Sequence, residues 1–380
     1  MSAAGGASLK ACFESLEDPR RGEVLHPLIN IVAIALCAVI CGCDDFSAIA
    51  EFGKGRRKWL GKFLDLSMGV PSHDTFNNVL ARIKPEAFEA CLLQWVLLLH
   101  EVTEGQIIPI DGKTLRGSYG RGDSQATIHM VSAWASQNHI SLGQVTVGEK
   151  SNEITAIPEL LKIIEISGAL VTIDAMGCQT EIAETIVAEG ADYCLAVKDN
   201  QPKLLEATQA FFEDHLADDF ARHLVRRYAT QERGHGRVEE RDYFIAPVPE
   251  DFAPRGRWKK LRALGIAINN VERGGKHVTE VRYYILSKYT SGARFAEAVR
   301  GHWSIENRLH WQLDVSFAED DCRLWRDHAP ANFSLLRRTS LSLLKNEPRK
   351  KLGIKNKRLA AAFDTRYLEQ VLLGKQVSVR

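Results

Sequence analysis

Two rhythms of apolar and polar residues divide the chain. From 9 to 100 the apolar positions recur every three or four residues, the spacing that lines one face of an α-helix. It predicts helices over "LKACFESL", the run 28 to 41, "FSAIAEFGKGRRKWLGKFL", "SHDTFNNVLARI" and "PEAFEACLLQWVLLLHEV". In the fourth, Ser72 or Asp74 supplies the N-cap, and Phe76, Val79, Leu80 and Ile83 form the buried stripe. With the short Gly-containing turn before it, this segment has the outline of the second half of a helix-turn-helix, a unit that reads DNA in some proteins and only packs in others.

From 105 the period shortens to two. "QIIPID" is a short apolar run ending in Asp111, and "ATIHMVSAWAS" and "HISLGQVTV" alternate around a "QN" turn. The helix "ITAIPELLKII", the strand "ALVTID" ending in Asp174, the helix "QTEIAETIVAEG" and the strand "DYCLAVK" complete a β-β-β-α-β-α-β order. The fold class is therefore α/β, joined to an α-helical N-terminal domain. Ligand sites in such sheets lie beyond the carboxyl ends of the strands. If the first and fourth strands are neighbours, Asp111 and Asp174 converge.

After "VKDNQPKLLEATQAFFEDHL", residues of roughly 220 to 290 alternate in charge through "RGHGRVEERDYFIA", "WKKLRALGIAINNVER" and "TEVRYYILSK" and predict an inserted, mainly β segment. Next, "RGHWSIENRLHWQLDV", 300 to 315, scans as a single helix. At about 100° per residue, Ile305, Leu309 and Leu313 make an apolar stripe, His302, Glu306 and His310 a stripe beside it, and Trp303, Asn307 and Asp314 lie one step further round. Glu306 thus stands on the border between core and polar surface. Two helical stretches, "APANFSLLRRTSLSLLK" and "NKRLAAAFDTRYLEQVLL", close the chain, which contains no internal repeat.

Composition adds limits. With 380 residues, 45% hydrophobic and 26% charged, the chain is an ordinary globular protein of two or three units. Its net charge of +1 hides an asymmetry: residues 321 to 380 hold 14 Lys and Arg against 5 Asp and Glu, and the first 320 hold 35 against 43. An acidic centre joined to a basic surface suits a polyanionic partner, although a solvated basic tail explains the charge equally well. The eight cysteines are scattered. Cys37, Cys41 and Cys43 lack a nearby histidine and the second ligand pair of a zinc site, so buried reduced thiols and a cytoplasmic location are expected. The apolar run 28 to 43 is 16 residues long, short of the roughly 20 a membrane span needs, and no signal peptide precedes it.

Acids at strand ends have two uses. One alone often just starts a turn. Two on neighbouring strands, joined by a third from a packed helix, suit hard divalent cations such as Mg2+ and a two-metal reaction at phosphorus. A zinc or iron site on His302, Glu306 and His310 is the weaker reading, because the H-E-x-x-H pattern is absent.

The motifs "PIDGKTLRGS", "LVTIDAMGCQTEIA", "YCLAVKDNQPKL", "RGHGRVEERDY" and "RGHWSIENRLHWQLDVSFAEDDCR", in this order over nearly the whole chain, resemble the DDE transposases of bacterial insertion sequences. The likeness is to the ISAs-type group that includes the H-repeat-associated proteins. It implies a ribonuclease H-like catalytic domain in which Asp111, Asp174 and Glu306 are catalytic and hold two Mg2+ ions, with Mn2+ as a substitute. One ion, between Asp111 and Asp174, would activate a water or DNA 3′-hydroxyl; a second, shared by Asp111 and Glu306, would stabilise the leaving oxygen. The implied partner is double-stranded DNA, as terminal inverted repeats and target, held by a homodimer in the nucleoid with no membrane involved.

One departure stands out. Where a related larger group carries Tyr, Arg, Glu and Lys, this chain has Val299, His302, Glu306 and Leu313, so phosphate contacts fall to neighbours such as Arg300, His302, Asn307 or Arg308, with Trp303 as a wedge. Further DNA contacts are expected from Lys113, Arg116, Lys198, Asn200, His235, Arg237, Arg241, Arg337 and Arg338, and from Arg349, Lys350 and Lys351 in the basic tail.

The expected units are a helical N-terminal domain at 1–100, the first part of the catalytic domain at 101–218, the insert at 219–292, the part with the Glu helix at 293–346, and a basic helical tail at 347–380. Rival readings of the same residues are a DNA-binding relic or regulator without transposition, and a stand-alone metal-dependent nuclease.

Overall fold

A computed structural model describes residues 9–100, 105–115, 128–147, 152–234 and 237–374. Among the described residues, the N-terminal layer includes the helices α1 (Leu28–Ile40), α2 (Phe46–Gly55), α3 (Arg57–Leu60), α4 (His73–Leu80) and α5 (Pro85–Leu99). The apolar run expected to be a buried helix is α1, enclosed from Asn30 to Ile40. Among the described residues no helix is long and apolar enough to cross a membrane. Ser72 is the cap of α4, its Oγ accepting from the Thr75 N–H at 3.3 Å. The cysteines are all free.

The α/β part begins with β1 (Ile107–Leu115), β2 (Ile128–Ala135), β3 (Ile140–Val147), α6 (Glu153–Ile163), β4 (Leu170–Ile173), α7 (Thr180–Ala188), β5 (Asp192–Val197) and α8 (Pro202–Ala217). This is the β-β-β-α-β-α-β order read from the alternation. β1 pairs antiparallel with β2 but parallel with β4, and β4 parallel with β5.

The inserted residues contribute β6 (Arg226–Gly234), β7 (Arg237–Pro247), β8 (Ala263–Arg273) and β9 (Lys276–Leu286). They do not form a separate sheet: β9 pairs with β5, giving one nine-stranded sheet in the order β3-β2-β1-β4-β5-β9-β8-β7-β6. The β8–β9 hairpin closes on Gly274 and Gly275, with φ of +56° and +75°, the backbone that a tight two-residue turn demands. The bases of these strands are buried and their turn ends exposed.

Helix α9 (Gly292–Ile305), a π-helical turn at Glu306–His310 and α10 (Trp311–Phe317) follow, then α11 (Ala329–Asn346), α12 (Ile354–Phe363) and α13 (Thr365–Leu373). The last predicted helix is divided at Asp364, whose side chain caps α13. Strand alternation sorts the core into two faces. Ile107, Leu170, Cys194 and Phe295 share the cluster under α9, whereas Ile108, Ile110, Val171, Ile173 and Leu195 belong to the larger core with α6 and α7. Buried α11 packs on α1, α5 and β3 and so fastens the N-terminal layer to the sheet.

Candidate active site

Strand register brings the two aspartates together. The last pair of the β1–β4 ladder is Ile110 with Ile173, so Asp111 and Asp174 come next on strands spaced about 4.8 Å apart. By alternation, Ile107 and Asp111 on one chain and Leu170 and Asp174 on the other face α9. Asp111 does not end its strand as expected: β1 continues to Leu115, because β2 keeps pairing with it, Asp111 opposite Ser132. What ends at Asp111 is the parallel ladder.

Each carboxylate is half-tied. Asp111 Oδ1 accepts from the Gly112 N–H at 2.9 Å, and its Oδ2 lies 3.5 Å from His310 Nε2, close for an ion pair and long for a hydrogen bond. Asp174 Oδ1 accepts from the N–H groups of Met176 and Gly177 at 3.0 and 3.3 Å. Burial pushes the Asp111 carboxyl up, but contact with His310 and the charge of His302 outweigh it and hold it below the usual range. Burial lowers the His302 imidazole, against the pull of Asp111, Asp174 and Glu306, so all three acids lie within electrostatic reach of one ring.

The expected single helix is broken. Glu306 opens the π turn, the hydrogen-bonding pattern shifting by one residue between α9 and α10; such turns are frequent at functional sites. Leu309 and His310 are buried there, while Glu306 is exposed.

Two carboxylates offer the hard oxygen ligands a divalent cation such as Mg2+ prefers. Beside them, buried Nδ1 of His302 and both ring nitrogens of His310 lack hydrogen-bond partners, which marks a place for a further ligand or water. The aspartate pair therefore fits a cation. Among the described residues no three His, Cys, Asp or Glu side chains close on one point, and Glu306 is exposed to solvent.

The remaining predicted contacts separate. Arg116 and His235 lie outside the described residues. Lys198, Arg237, Arg300, Trp303, Asn307 and Arg308 are exposed. Arg300 pairs with Glu232 at 2.6 Å, Arg237 with Glu239 at 3.3 Å and Arg241 with Glu239 at 2.7 Å. Arg282 of β9 stacks over Trp303 at 4.3 Å, and Asn200 donates to Ala175 O at 2.6 Å, bracing the loop behind Asp174.

Three cations are misplaced by sequence reasoning. Arg337 and Arg338 are 2% and 1% exposed inside α11, out of reach of a DNA phosphate. Lys113 is enclosed by Asp314, Glu319 and Asp320. The tail from 347 is no loose basic extension either: Lys357 and Arg358 are buried, Arg358 donating to Val39 O and Ser316 O and pairing with Asp44. Sequence analysis missed Glu319 and Arg358, whose signal was present as charges next to the apolar positions of packed segments.

Comparison with known proteins places this arrangement. Residues 103–343 match the family model described as "Transposase DDE domain", and 10–96 match the model of its associated region, "DDE_Tnp_1-associated". The chain belongs to the DDE-domain transposase family. Relatives of this transposase include "Putative transposase YncI" of Escherichia coli O157:H7, 42% identical over 93% of this chain and 91% of that protein. Another is "H repeat-associated putative transposase YhhI" of Escherichia coli K12, 38% identical over 94% and 95%. A shorter match, 34% over 16% of the chain and 74% of the relative, is "Inactive transposase YbfQ" of the same strain. The likeness to the H-repeat-associated group holds.

Proposed function

We propose that the protein cuts DNA at the ends of its own mobile element and joins the freed 3′ ends to a target, with Asp111, Asp174 and Glu306 as the catalytic acids. The observation that carries this reading is the β1–β4 register, which aligns two aspartates on adjacent parallel strands facing the helix that Glu306 caps. The strand order β3-β2-β1-β4-β5, with only its first three strands antiparallel, supports a ribonuclease H-like core.

Asp111 and Asp174 would hold a divalent ion, and Glu306 would complete a second position. Bound there, such ions lower the pKa of an attacking water or 3′-hydroxyl and stabilise the leaving oxygen. The chain's own part is to set the acids. Backbone N–H groups of Gly112, Met176 and Gly177 hold Oδ1 of the two aspartates, so a cation would be met by Oδ2 of each, sharing that of Asp111 with His310 at 3.5 Å. Of the exposed cations, Lys198, Arg237, Arg300 and Arg308 are the DNA-contacting set, and a homodimer pairs the two ends.

The test replaces Asp111 with Asn, Asp174 with Asn and Glu306 with Gln, one at a time. Each should abolish Mg2+-dependent cleavage of terminal-repeat DNA and leave DNA binding and thermal stability near those of the unaltered protein. Cleavage retained by any of the three would remove that acid from the site. Cleavage without strand joining would instead make the protein a metal-dependent nuclease.

A further inference from the structure

Lys113 follows Asp111 by two positions and so shares its face of β1. Two residues of a strand advance about 6.8 Å and four residues of a helix about 6 Å. Consecutive same-face strand residues therefore keep step with helix residues one turn apart. The two contacts obey this: Asp111 faces His310 at 3.5 Å, and Lys113 pairs with Asp314.

The ammonium has further ties. Its Nζ lies 2.8 Å from Glu319 Oε2 and 3.8 Å from Asp320 Oδ1, with 9% of the Lys113 side chain and none of the Glu319 side chain exposed. Glu319 Oε1 accepts from Ser334 Oγ of α11 at 2.8 Å. Ala318 takes a left-handed conformation, φ +49°, and the next N–H returns to Leu313 O at 3.0 Å, which folds Glu319 back toward the strand. One cation thus joins β1, α10, the turn after it and α11. Two of its N–H donors are spent on Asp314 and Glu319 and its charge also faces Asp320, which leaves the enclosed ammonium committed to carboxylates rather than to a phosphate.

We propose that Lys113 is a positioning residue for the cleavage site, holding the π turn and its Glu306 against the strand that carries Asp111. This rests on the reading of those acids under the proposed function. Without the ammonium, Glu319, Asp314 and Asp320 repel one another in a low-dielectric pocket, and α10 parts from β1. Only the helix side of the site then moves, because Asp174 is held by its own loop.

The test compares Lys113→Met, Lys113→Arg and Asp314→Asn in the full chain by three readouts. These are backbone hydrogen exchange over 306–317, DNA affinity as a function of salt, and cleavage rate as a function of Mg2+ concentration. Lys113→Met should speed exchange in that segment, lower cleavage roughly ten- to a hundredfold with a raised Mg2+ requirement, and leave DNA affinity and its salt slope unchanged. Lys113→Arg, which keeps the charge, should restore most of the protection.

Unchanged exchange and cleavage in Lys113→Met would overturn the proposal. So would a fall in DNA affinity with a salt slope reduced by about one, the mark of a phosphate contact. If Lys113→Met does not fold, Asp314→Asn removes one pair and leaves Glu319 in place; it should show the same pattern more weakly, and no effect there would overturn the proposal. Absence of metal-dependent cleavage in the unaltered protein would instead sink the function reading, with exchange still deciding the role of Lys113.

Discussion

Gly112 lies against Glu153: a Cβ built at Gly112 would run into the Glu153 carboxylate and come within 3.0 Å of His129 Nε2. The missing side chain lets Glu153, from the first turn of α6, reach His129 across the back of β1, while Thr114 Oγ1 meets the other ring nitrogen at 2.7 Å. Gly112 also donates its N–H to Asp111, so crowding on the back face is transmitted to the candidate acid. Gly112→Ala should cost about 1–3 kcal/mol by overpacking. Adding Glu153→Ala should recover part of that loss. Urea denaturation of the two single variants and the double variant measures the coupling; strict additivity would show that the two residues do not compete for this space.

The buried Glu319 carboxyl sets an acid limit on stability. Burial alone would raise it, yet the charges of Lys113, Arg338 and Arg337 bring it down to about 2. A depressed folded-state pKa contributes stability that is present above the unfolded value, 4.5, and is lost as pH falls through the folded one. The contribution is roughly 3 kcal/mol at 1.36 kcal/mol per unit. Urea midpoints should therefore fall between pH 4.5 and 2, and Glu319→Gln, less stable at neutral pH, should lose less over that window.

Much of this site was legible in the sequence because its signals are local. Period-two alternation located β1 and β4, and the apolar residues before Asp111 and Asp174 placed both acids where the parallel ladder ends. The π turn was not legible by the usual wheel, yet its trace was there. Ile305, Leu309, Leu313 and Phe317 recur every four residues and are all fully buried. In an α-helix each four-residue step overshoots by about 40°, so three steps would carry Phe317 about 120° from Ile305. A π turn absorbs that drift. Lys113 and Arg337 were misread for a different reason: charge predicts exposure unless it is buried with company, and the company is Asp314, 201 residues on, for Lys113 and the ring of Phe333 for Arg337.

Arg358 joins three helix ends. It donates to Val39 O near the C-terminus of α1 and to Ser316 O in α10, pairs with Asp44 at 2.7 Å, and stacks over Phe317 at 4.1 Å. A guanidinium suits two helix C-termini at once, because both present carbonyls at the negative end of the dipole. Arg358→Ala should cost roughly 2–4 kcal/mol, the range for breaking one partner of a buried pair reduced for the part-exposed Asp44. Lys at this position should recover little, since one ammonium lacks the planar fork. Thermal unfolding of the two variants measures both effects.

Arg308 and Arg337 should separate by phenotype although both are arginines near the Glu306 helix. Arg308 is exposed on the π turn, two residues after Glu306, so its replacement by Ala should leave stability within about 0.5 kcal/mol. It should weaken binding to all duplex sequences alike and reduce the dependence of log affinity on log salt by about one. Arg337 is buried, stacked 4.4 Å over Phe333 and near Glu319. Arg337→Ala should lower the free energy of unfolding by roughly 1–3 kcal/mol, while the fraction that stays folded binds DNA with the unaltered salt slope. Fluorescence anisotropy at several salt concentrations, alongside urea titrations, makes the comparison. A changed slope for folded Arg337→Ala would mean that α11 opens when DNA binds and that this guanidinium reaches phosphate after all.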